Sequence, residues 1–400
     1  MPKTGEQMQQ DFFKKGVLEI ISEESLKKRF SGKKLRIKLG ADPTRPDLHL
    51  GHAVSFWKLK ELQGAGHKIV FIIGDYTAKI GDPSGRNAAR PALSDAEIKK
   101  NAKTYFAQVG KILNLKKTEI RFNSEWFSKM NFADILNLLT KSTLASIIDR
   151  DDFKNRLQKG IDIGLHEILY PVMQAYDSVM IRADAEIGGS DQRFNMLAGR
   201  SLQKKMGQNP QEIIITKLLV GLDGKMKMSK SEGNYIGITE SSKQMFGKIM
   251  SLPDCLILDY FELCTQKTLA EIEKIKKELK SGKNPRDIKA DLAREIVALY
   301  YGKQAAQKEK AEFSRVFSQK ETPKNLPKIS LNKKNATVFE ILKACYKKQK
   351  SHNELRRLIS QKAVEIDNKT VSDAEAKITI PKQGLIIKIG KKDWFKITQP

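Results

Sequence analysis

Cysteine is scarce in this chain: three in 400 residues (Cys255, Cys264, Cys345), an odd number, with no CxxC pair and no histidine close by. That argues against a disulfide framework and a structural zinc site, and for a reducing compartment, the cytoplasm. No run approaches the roughly 20 apolar residues that would cross a bilayer. The opening MPKTGEQMQQDFFKK has no apolar signal core, so no export is expected. Acidic residues are the minority, 47 Asp and Glu against 73 Lys and Arg, a net charge of +26. A hydrophobic share of 40% still excludes wholesale disorder, and the length suggests two or three domains able to bury cores.

The charge is unevenly placed. Residues 301–400 hold 23 Lys and Arg against 10 Asp and Glu, which is half of the whole excess. Residues 151–200 hold 6 against 8. A basic C-terminal quarter reads either as a polyanion-binding end, most simply for nucleic acid, or as a solvated lysine-rich surface.

The first 235 residues alternate strand and helix signals. Leu35–Ala41 and Lys68–Asp75 are short apolar runs of the kind that form buried parallel strands. Between them His49–Gln63 has helical spacing, and Gly64 and Gly66 stop it. Thr118–Phe122 reads as a strand, Leu165–Met180 as a helix, Glu186–Gly189 as a strand end and Gln192–Met206 as a helix. Such strand–helix–strand units imply a doubly wound α/β sheet with ligands beyond the carboxyl ends of its strands. From about Ser241 the pattern turns helical and charged, with Thr268–Lys280 and Arg286–Tyr301 as amphipathic helices. Gln319–Lys334 reads as a linker, and a compact unit with β-like runs at Ala363–Ile366 and Leu385–Ile389 follows it.

Two motifs carry chemistry. Lys38–His52 (KLGADPTRPDLHLGH) runs from a strand end into a helix start, where His49 and His52 share a face and Thr44 lies close. A helix N-terminus with two imidazoles suits a polyphosphate. A His-x-x-His metal pair or two surface histidines are the alternatives. About 180 residues later, KMKMSKS (225–231) sets Lys227 and Lys230 in a polar loop able to close over phosphates, or simply a solvated turn.

HLGH followed by KMSKS resembles the signature pair of class I aminoacyl-tRNA synthetases. Three segments lie between them: GDPSGR (81–86), YPVMQAYD (170–177) and GGSDQ (188–192). On a helix Tyr170, Gln174 and Asp177 fall on one face, offering a phenol, an amide and a carboxylate. These segments resemble the bacterial tyrosyl-tRNA synthetase family along essentially the whole chain. The resemblance implies that Asp82, Tyr170 and Gln174 hold the amino acid's ammonium and that Asp177 accepts from its phenol. Gln192 would lie beside its carboxylate, and Asn123 falls where the family has an active-site asparagine. Thr44, His49 and His52 would meet ATP, Asp191 its ribose, and Arg86, Lys227 and Lys230 the pyrophosphate. Gly51, Asp191 and Lys230 count as nucleotide-binding. The C-terminal SHNELRRLISQKAVEID (351–367) resembles an S-four-type ribosomal RNA-binding module.

Implied with the resemblance is a Rossmann-like catalytic domain over 1–235, with a dimerisation insertion near 125–180. An α-helical anticodon-binding domain (236–320), a linker (321–334) and a small α+β RNA-binding domain (335–400) follow. The expected reaction is tyrosine activation by ATP, with Mg2+ accompanying the nucleotide, then transfer to tRNA(Tyr). A homodimer formed through Asn131–Gly160 is expected. Tryptophan activation and a non-catalytic RNA-binding role are the rival readings. Three residues depart from the better-known family pattern: Lys38 stands where a tyrosine shares the substrate's phenol, Glu186 replaces a glutamine, and Lys362 replaces a small residue.

Overall fold

Short runs of β-branched residues lay down the first sheet. In the computed structural model, residues 12–83, 93–315, 326–346, 349–367, 369–390 and 393–399 are described. Strands β1 (Val17–Ile21), β2 (Arg36–Ala41), β3 (Lys68–Ile73), β4 (Thr118–Phe122), β5 (Ala185–Gly189) and β6 (Glu212–Thr216) form one sheet in the order β1-β6-β5-β2-β3-β4. All neighbours pair in parallel except β1, which closes one edge antiparallel to β6. Ile69–Ile73 of β3 and all of β6 are buried, as continuous apolar strands between helical layers must be. Helices α1 (Glu23–Gly32), α2 (Leu50–Gly64) and α3 (Asp95–Val109) belong to the first half. Four short helices, α4 (Ser124–Phe127), α5 (Phe132–Leu139), α6 (Leu144–Ile148) and α7 (Asp151–Gln158), then lead to α8 (Leu165–Met180) and α9 (Arg193–Lys205). The chain runs outward from β2 to β4, then returns to place β5 and β6 on the other side of β2. The winding therefore reverses between β2 and β5, the place where doubly wound sheets bind ligands beyond the carboxyl ends of their strands.

Helices α10 (Ser242–Met250), α11 (Ile257–Cys264), α12 (Leu269–Lys280) and α13 (Pro285–Phe313, broken at Gly302 with φ +84°) follow. Most of this helical stretch lies in the same compact unit as the sheet, residues 1–310. Its apolar faces seat Tyr260, Ile296 and Val297 fully inside. The Tyr260 hydroxyl donates to the Val220 carbonyl at 2.7 Å, and Trp57 Nε1 donates to the Tyr300 hydroxyl at 3.2 Å.

The second unit, residues 311–400, has a core of its own that includes Val338, Ile341, Leu342, Leu355, Ile359, Val364, Ile387 and Ile397. Its elements are β7 (Lys328–Ser330), β8 (Asn335–Thr337), α14 (Val338–Tyr346), α15 (His352–Ser360), β9 (Val364–Ile366), β10 (Lys369–Val371), β11 (Lys377–Thr379), β12 (Leu385–Ile389) and β13 (Asp393–Thr398). A five-stranded sheet runs β10-β9-β12-β13-β7, and β11 pairs with β8.

Two expectations change here. Residues 328–330, assigned to the linker for their lysine and proline surroundings, form β7 and pair with β13, whose edge supplies the missing backbone partners. Lys362 follows α15 in a left-handed conformation, φ +56°, which explains why a small residue suits that position. Residues 321–325 of the proposed linker lie outside the described residues.

Candidate active site

Asp42 leaves the sheet where β2 ends, at the reversal of winding. Its Oδ1 accepts from the Thr77 hydroxyl at 2.8 Å and its Oδ2 from the Tyr170 hydroxyl at 2.9 Å. Gly74 makes this possible, since a Cβ there would stand 2.0 Å from Asp42 Oδ1 and 2.4 Å from Thr77 Oγ1. The network continues through Asn123, fully buried, whose Nδ2 donates to Thr77 Oγ1 at 2.9 Å and to Asp177 Oδ2 at 3.4 Å. Asn123 Oδ1 takes the Tyr76 backbone N–H at 2.9 Å, which fixes its amide orientation. At the far end Trp126 Nε1 donates to Asp177 Oδ1 at 3.0 Å.

Tyr170, Gln174 and Asp177 share one face of α8, as their spacing requires. Burial pushes the Asp177 carboxyl up to about 7, while Lys38, Trp126 and Asn123 pull it down and Asp42 adds to the rise. Burial, with Asp42 and Asp82 nearby, holds the Tyr170 phenol well above its usual range, so it stays a hydrogen-bond donor. Gln174 Oε1 is buried without a protein partner among the described residues, an acceptor awaiting a donor. Nearby Gln192 Nε2 donates to Asp82 Oδ2 at 2.7 Å, and Gln192 Oε1 accepts from Asn195 Nδ2 at 3.0 Å. Asn195 is held in turn by Arg150 at 3.0 Å.

Two of the departures from the family pattern turn out to be partners. Lys38 on β2 and Glu186 on β5 face each other in register across the reversal point, with Nζ to Oε1 at 2.9 Å. Both are buried. Lys38 Nζ also donates to Ser178 Oγ at 2.8 Å and to the Gln174 carbonyl at 3.0 Å, which uses all three ammonium hydrogens.

The two signature motifs, distant in sequence, are joined by backbone. Leu50 N donates to Ile236 O at 3.0 Å and Ile238 N to Leu48 O at 3.1 Å, with His49 bridged to Gly237. His49 caps α2, and its backbone N–H donates to His52 Nδ1 at 3.2 Å. Gly51 leaves room for the His49 ring, because a Cβ there would lie 3.0 Å from its Nδ1. Burial first, then His52, Lys230 and Lys227, lower His49 to about 2. His52, although exposed on the first turn, is lowered to about 4 by desolvation in the cleft and by the same two lysines. Both imidazoles are therefore neutral at pH 7, free to donate or accept, while the lysines carry the positive charge. Thr44 sits half-buried in the turn that follows Asp42. Helix α3 supports that turn: Asn101 donates to Pro43 O at 2.9 Å and Gln108 to Pro46 O at 2.7 Å.

The loop that carries the second motif is organised by Asn234, buried at 4% exposure. Its Oδ1 accepts from Ser229 N at 2.8 Å and its Nδ2 donates to Asp223 at 3.0 Å. Lys227 pairs with Asp191 at 2.8 Å and Lys230 with Asp47 at 2.7 Å. The structure thus brings Asp82, Asn123, Tyr170, Gln174, Asp177 and Gln192 to one crevice. It gathers Thr44, His49, Gly51, His52, Asp191, Lys227 and Lys230 about the start of α2. Arg86 lies outside the described residues.

Sequence reasoning missed Asp42, Thr77 and Trp126, which complete the network, and Asn234, which orders the loop. Asp42 stood inside the quoted KLGADPTRPDLHLGH run and Trp126 three residues after Asn123, yet neither spacing nor residue type marked them. A polar cluster with carboxylate, amide and phenol groups, beside an anion-receiving helix start and two lysines paired with carboxylates, suits amino-acid activation by a nucleoside triphosphate.

Residues 31–318 match the family described as tRNA synthetases class I (W and Y). A tyrosine–tRNA ligase from Carboxydothermus hydrogenoformans is 45% identical over 407 residues, covering 99% of both chains. One from Thermotoga maritima is 46% identical over 388 residues, covering 96% of both. Among solved structures, a C-terminally truncated mitochondrial tyrosyl-tRNA synthetase from Aspergillus nidulans shares the fold, with a TM-score of 0.63 at 23% identity over 78% of this chain and 93% of that one.

Proposed function

Because the chain belongs to the class I tRNA synthetases of the W and Y type, we propose that its crevice binds tyrosine against Asp177 and its α2 start binds ATP. The activity is tyrosine–tRNA ligation, in keeping with the shared activity of relatives aligned over nearly their whole length. Tyrosine's carboxylate attacks the α-phosphorus of ATP, pyrophosphate leaves, and the tRNA 3′ end then takes the tyrosyl group. The attacking carboxylate is already ionised, so no protein nucleophile is required, and the work falls to alignment and positive charge. Tyr170, Gln174 and Asp82 would hold the ammonium, with the unpartnered Gln174 Oε1 as one acceptor. Gln192, tethered by Asp82 and Asn195, would face the carboxylate. Thr44, Gly51, the two neutral histidines and Asp191 would receive the nucleotide. Lys227 and Lys230 would exchange their present carboxylate partners for phosphate oxygens, and Arg86 would join them. Mg2+ would arrive with the phosphates, held by them and by water.

The observation that carries the amino-acid assignment is Asp177: a buried carboxylate, already given two donors, on the same helix face as Tyr170 and Gln174. A phenol adds a further donor to such a site, and phenylalanine would set an apolar ring edge against the buried carboxylate. ATP–pyrophosphate exchange with each amino acid in turn tests the reading. Exchange with tyrosine is the expected result; exchange with tryptophan alone, or with none, would overturn it.

The finer organisation belongs to the same proposal. The second unit, with Arg356 and Arg357 on α15, would bind tRNA, and the helices after residue 236 would meet the anticodon region. Exposed Phe132, Leu136, Leu144 and Leu157, at 73%, 49%, 58% and 51%, support a homodimer through residues 131–160.

A further inference from the structure

Lys38 and Glu186 lie behind the pocket, and neither has a role in the reaction as described. With its three hydrogens donated to Glu186, Ser178 and the Gln174 carbonyl, Lys38 has none left for a substrate. Those acceptors are informative. Gln174 and Ser178 bracket Asp177 on a single turn of α8, so the ammonium grips the segment that presents both the amide and the carboxylate of the pocket. Glu186 holds the other side of the same group: its Oε2 accepts from Ser178 Oγ at 3.2 Å and from Gln211 Nε2. The lower end of α8 is pinned separately by the buried Arg156–Glu167 pair at 2.7 Å. Among the described residues, the Lys38–Glu186 pair ties the pocket's own turn to the sheet at the point where the winding reverses.

We infer that Lys38, oriented by Glu186, is a positioning residue for tyrosine selection: it fixes the Gln174–Ser178 turn and supplies the buried positive charge that keeps Asp177 ready to accept from a phenol. A nearby buried ammonium favours the charged form of a buried carboxylate, whereas the same carboxylate without it more readily takes up a proton and turns into a donor. The groups acting on Asp177 fit this arrangement. From β2 comes Lys38, and from the turn beyond it Asp42; Tyr170 is on the same helix, Glu186 on β5 is already engaged by Lys38, and from the β4 end the neutral Asn123 and Trp126 donate to the carboxylate. Arg121 on β4 stands 5.5 Å from the Trp126 ring but is paired with Glu119 and Glu125, which leaves Lys38 as the cation that lowers Asp177.

This inference rests on the tyrosine reading, and the experiment separates the two. The full-length chain and its variants Lys38→Met and Glu186→Gln are assayed for ATP–pyrophosphate exchange with tyrosine and with phenylalanine from pH 5.5 to 9, with thermal melts alongside. In Lys38→Met the acid limb of kcat/KM for tyrosine is expected to move up by about one pH unit or more, and the preference for tyrosine over phenylalanine at pH 7 to fall about fivefold or more. Glu186→Gln keeps the positive charge, so its limb is expected at or below the wild-type position. A merely structural role would lower kcat/KM for both amino acids equally and leave the limb in place; that result overturns the inference. If Lys38→Met does not fold, the double variant Lys38→Met/Glu186→Met leaves no unpaired charge behind, and the same upward move is required of it. Wild-type chain inactive with tyrosine would sink the ligase reading and this inference together. Wild-type exchange with an unmoved limb sinks this inference alone.

Discussion

The Trp126–Asp177 hydrogen bond allows a quantitative test. Replacing Trp126 by Phe keeps an aromatic ring against Phe127 and removes one N–H, the donor that stands 3.0 Å from Asp177 Oδ1. A hydrogen bond to a charged acceptor is worth about 1.5–3 kcal/mol, which at 1.36 kcal/mol per pH unit raises the carboxyl by about 1–2. Asp177 already sits at about 7, because burial outweighs its donors and Lys38. It is therefore about half ionised at pH 7 in the free protein. After the substitution about 1–10% of it would be ionised there, while at pH 9 half or more would still be. The expected outcome is a rise in the KM for tyrosine of roughly 5- to 50-fold at pH 7 that shrinks to about twofold or less at pH 9. Tyrosine-dependent ATP–pyrophosphate exchange across that range measures it, with the KM for ATP as internal control. The sign follows from the direction of the change: a carboxyl driven further up loses its acceptor form at neutral pH and regains it in base. A loss of equal size at both pH values would refute the reasoning, since it would mean that Trp126 acts by shape and not through the charge on Asp177.

Other outcomes follow from the same geometry. Lys230→Ala removes a cation now paired with Asp47 at 2.7 Å; exchange kcat should fall by about 10²–10³ with the KM for tyrosine within about twofold, as stopped-flow adenylate formation would show. Gly74→Ala forces a Cβ to 2.0 Å from Asp42 Oδ1, so the Thr77–Asp42–Tyr170 contacts must open; tyrosine affinity measured by calorimetry should drop about tenfold or more, with loss of stability of about 1–3 kcal/mol in denaturant titration. Arg356→Ala with Arg357→Ala should weaken tRNA binding and reduce the slope of log affinity against log salt by about one for each phosphate no longer neutralised, while tyrosine exchange is unchanged.

Much of the scaffold was legible before the structure because periodicity is a local property. Leu165–Met180 was read as a helix with the same limits it has in the fold, and β2, β3, β4 and β5 were located within one or two residues, while β6 (Glu212–Thr216) went unread. Motif order was legible as well: HLGH and KMSKS pointed to a nucleotide site, and the fold joins them through Leu48–Leu50 and Ile236–Ile238. Asp42, Thr77 and Trp126 escaped because they act through hydrogen bonds to residues 35 to 128 positions away, and no spacing encodes that. The strand at Lys328–Ser330 escaped for a related reason. It is short and basic, and it exists because β13 has an open edge for it.

Taken alone, the sequence determined the α/β class and the helix face that carries Tyr170, Gln174 and Asp177, since these depend on residue type and period, and its motifs carried the family resemblance that implied the reaction. It also exposed Lys38 and Glu186 as departures while leaving them unconnected. Only the tertiary structure decided that the two are one feature. Strands β2 and β5 are neighbours because the winding reverses between them, which sets an ammonium and a carboxylate 2.9 Å apart deep in the interior. Burial then compels each to be the other's partner, because a lone charge there would be too costly to keep.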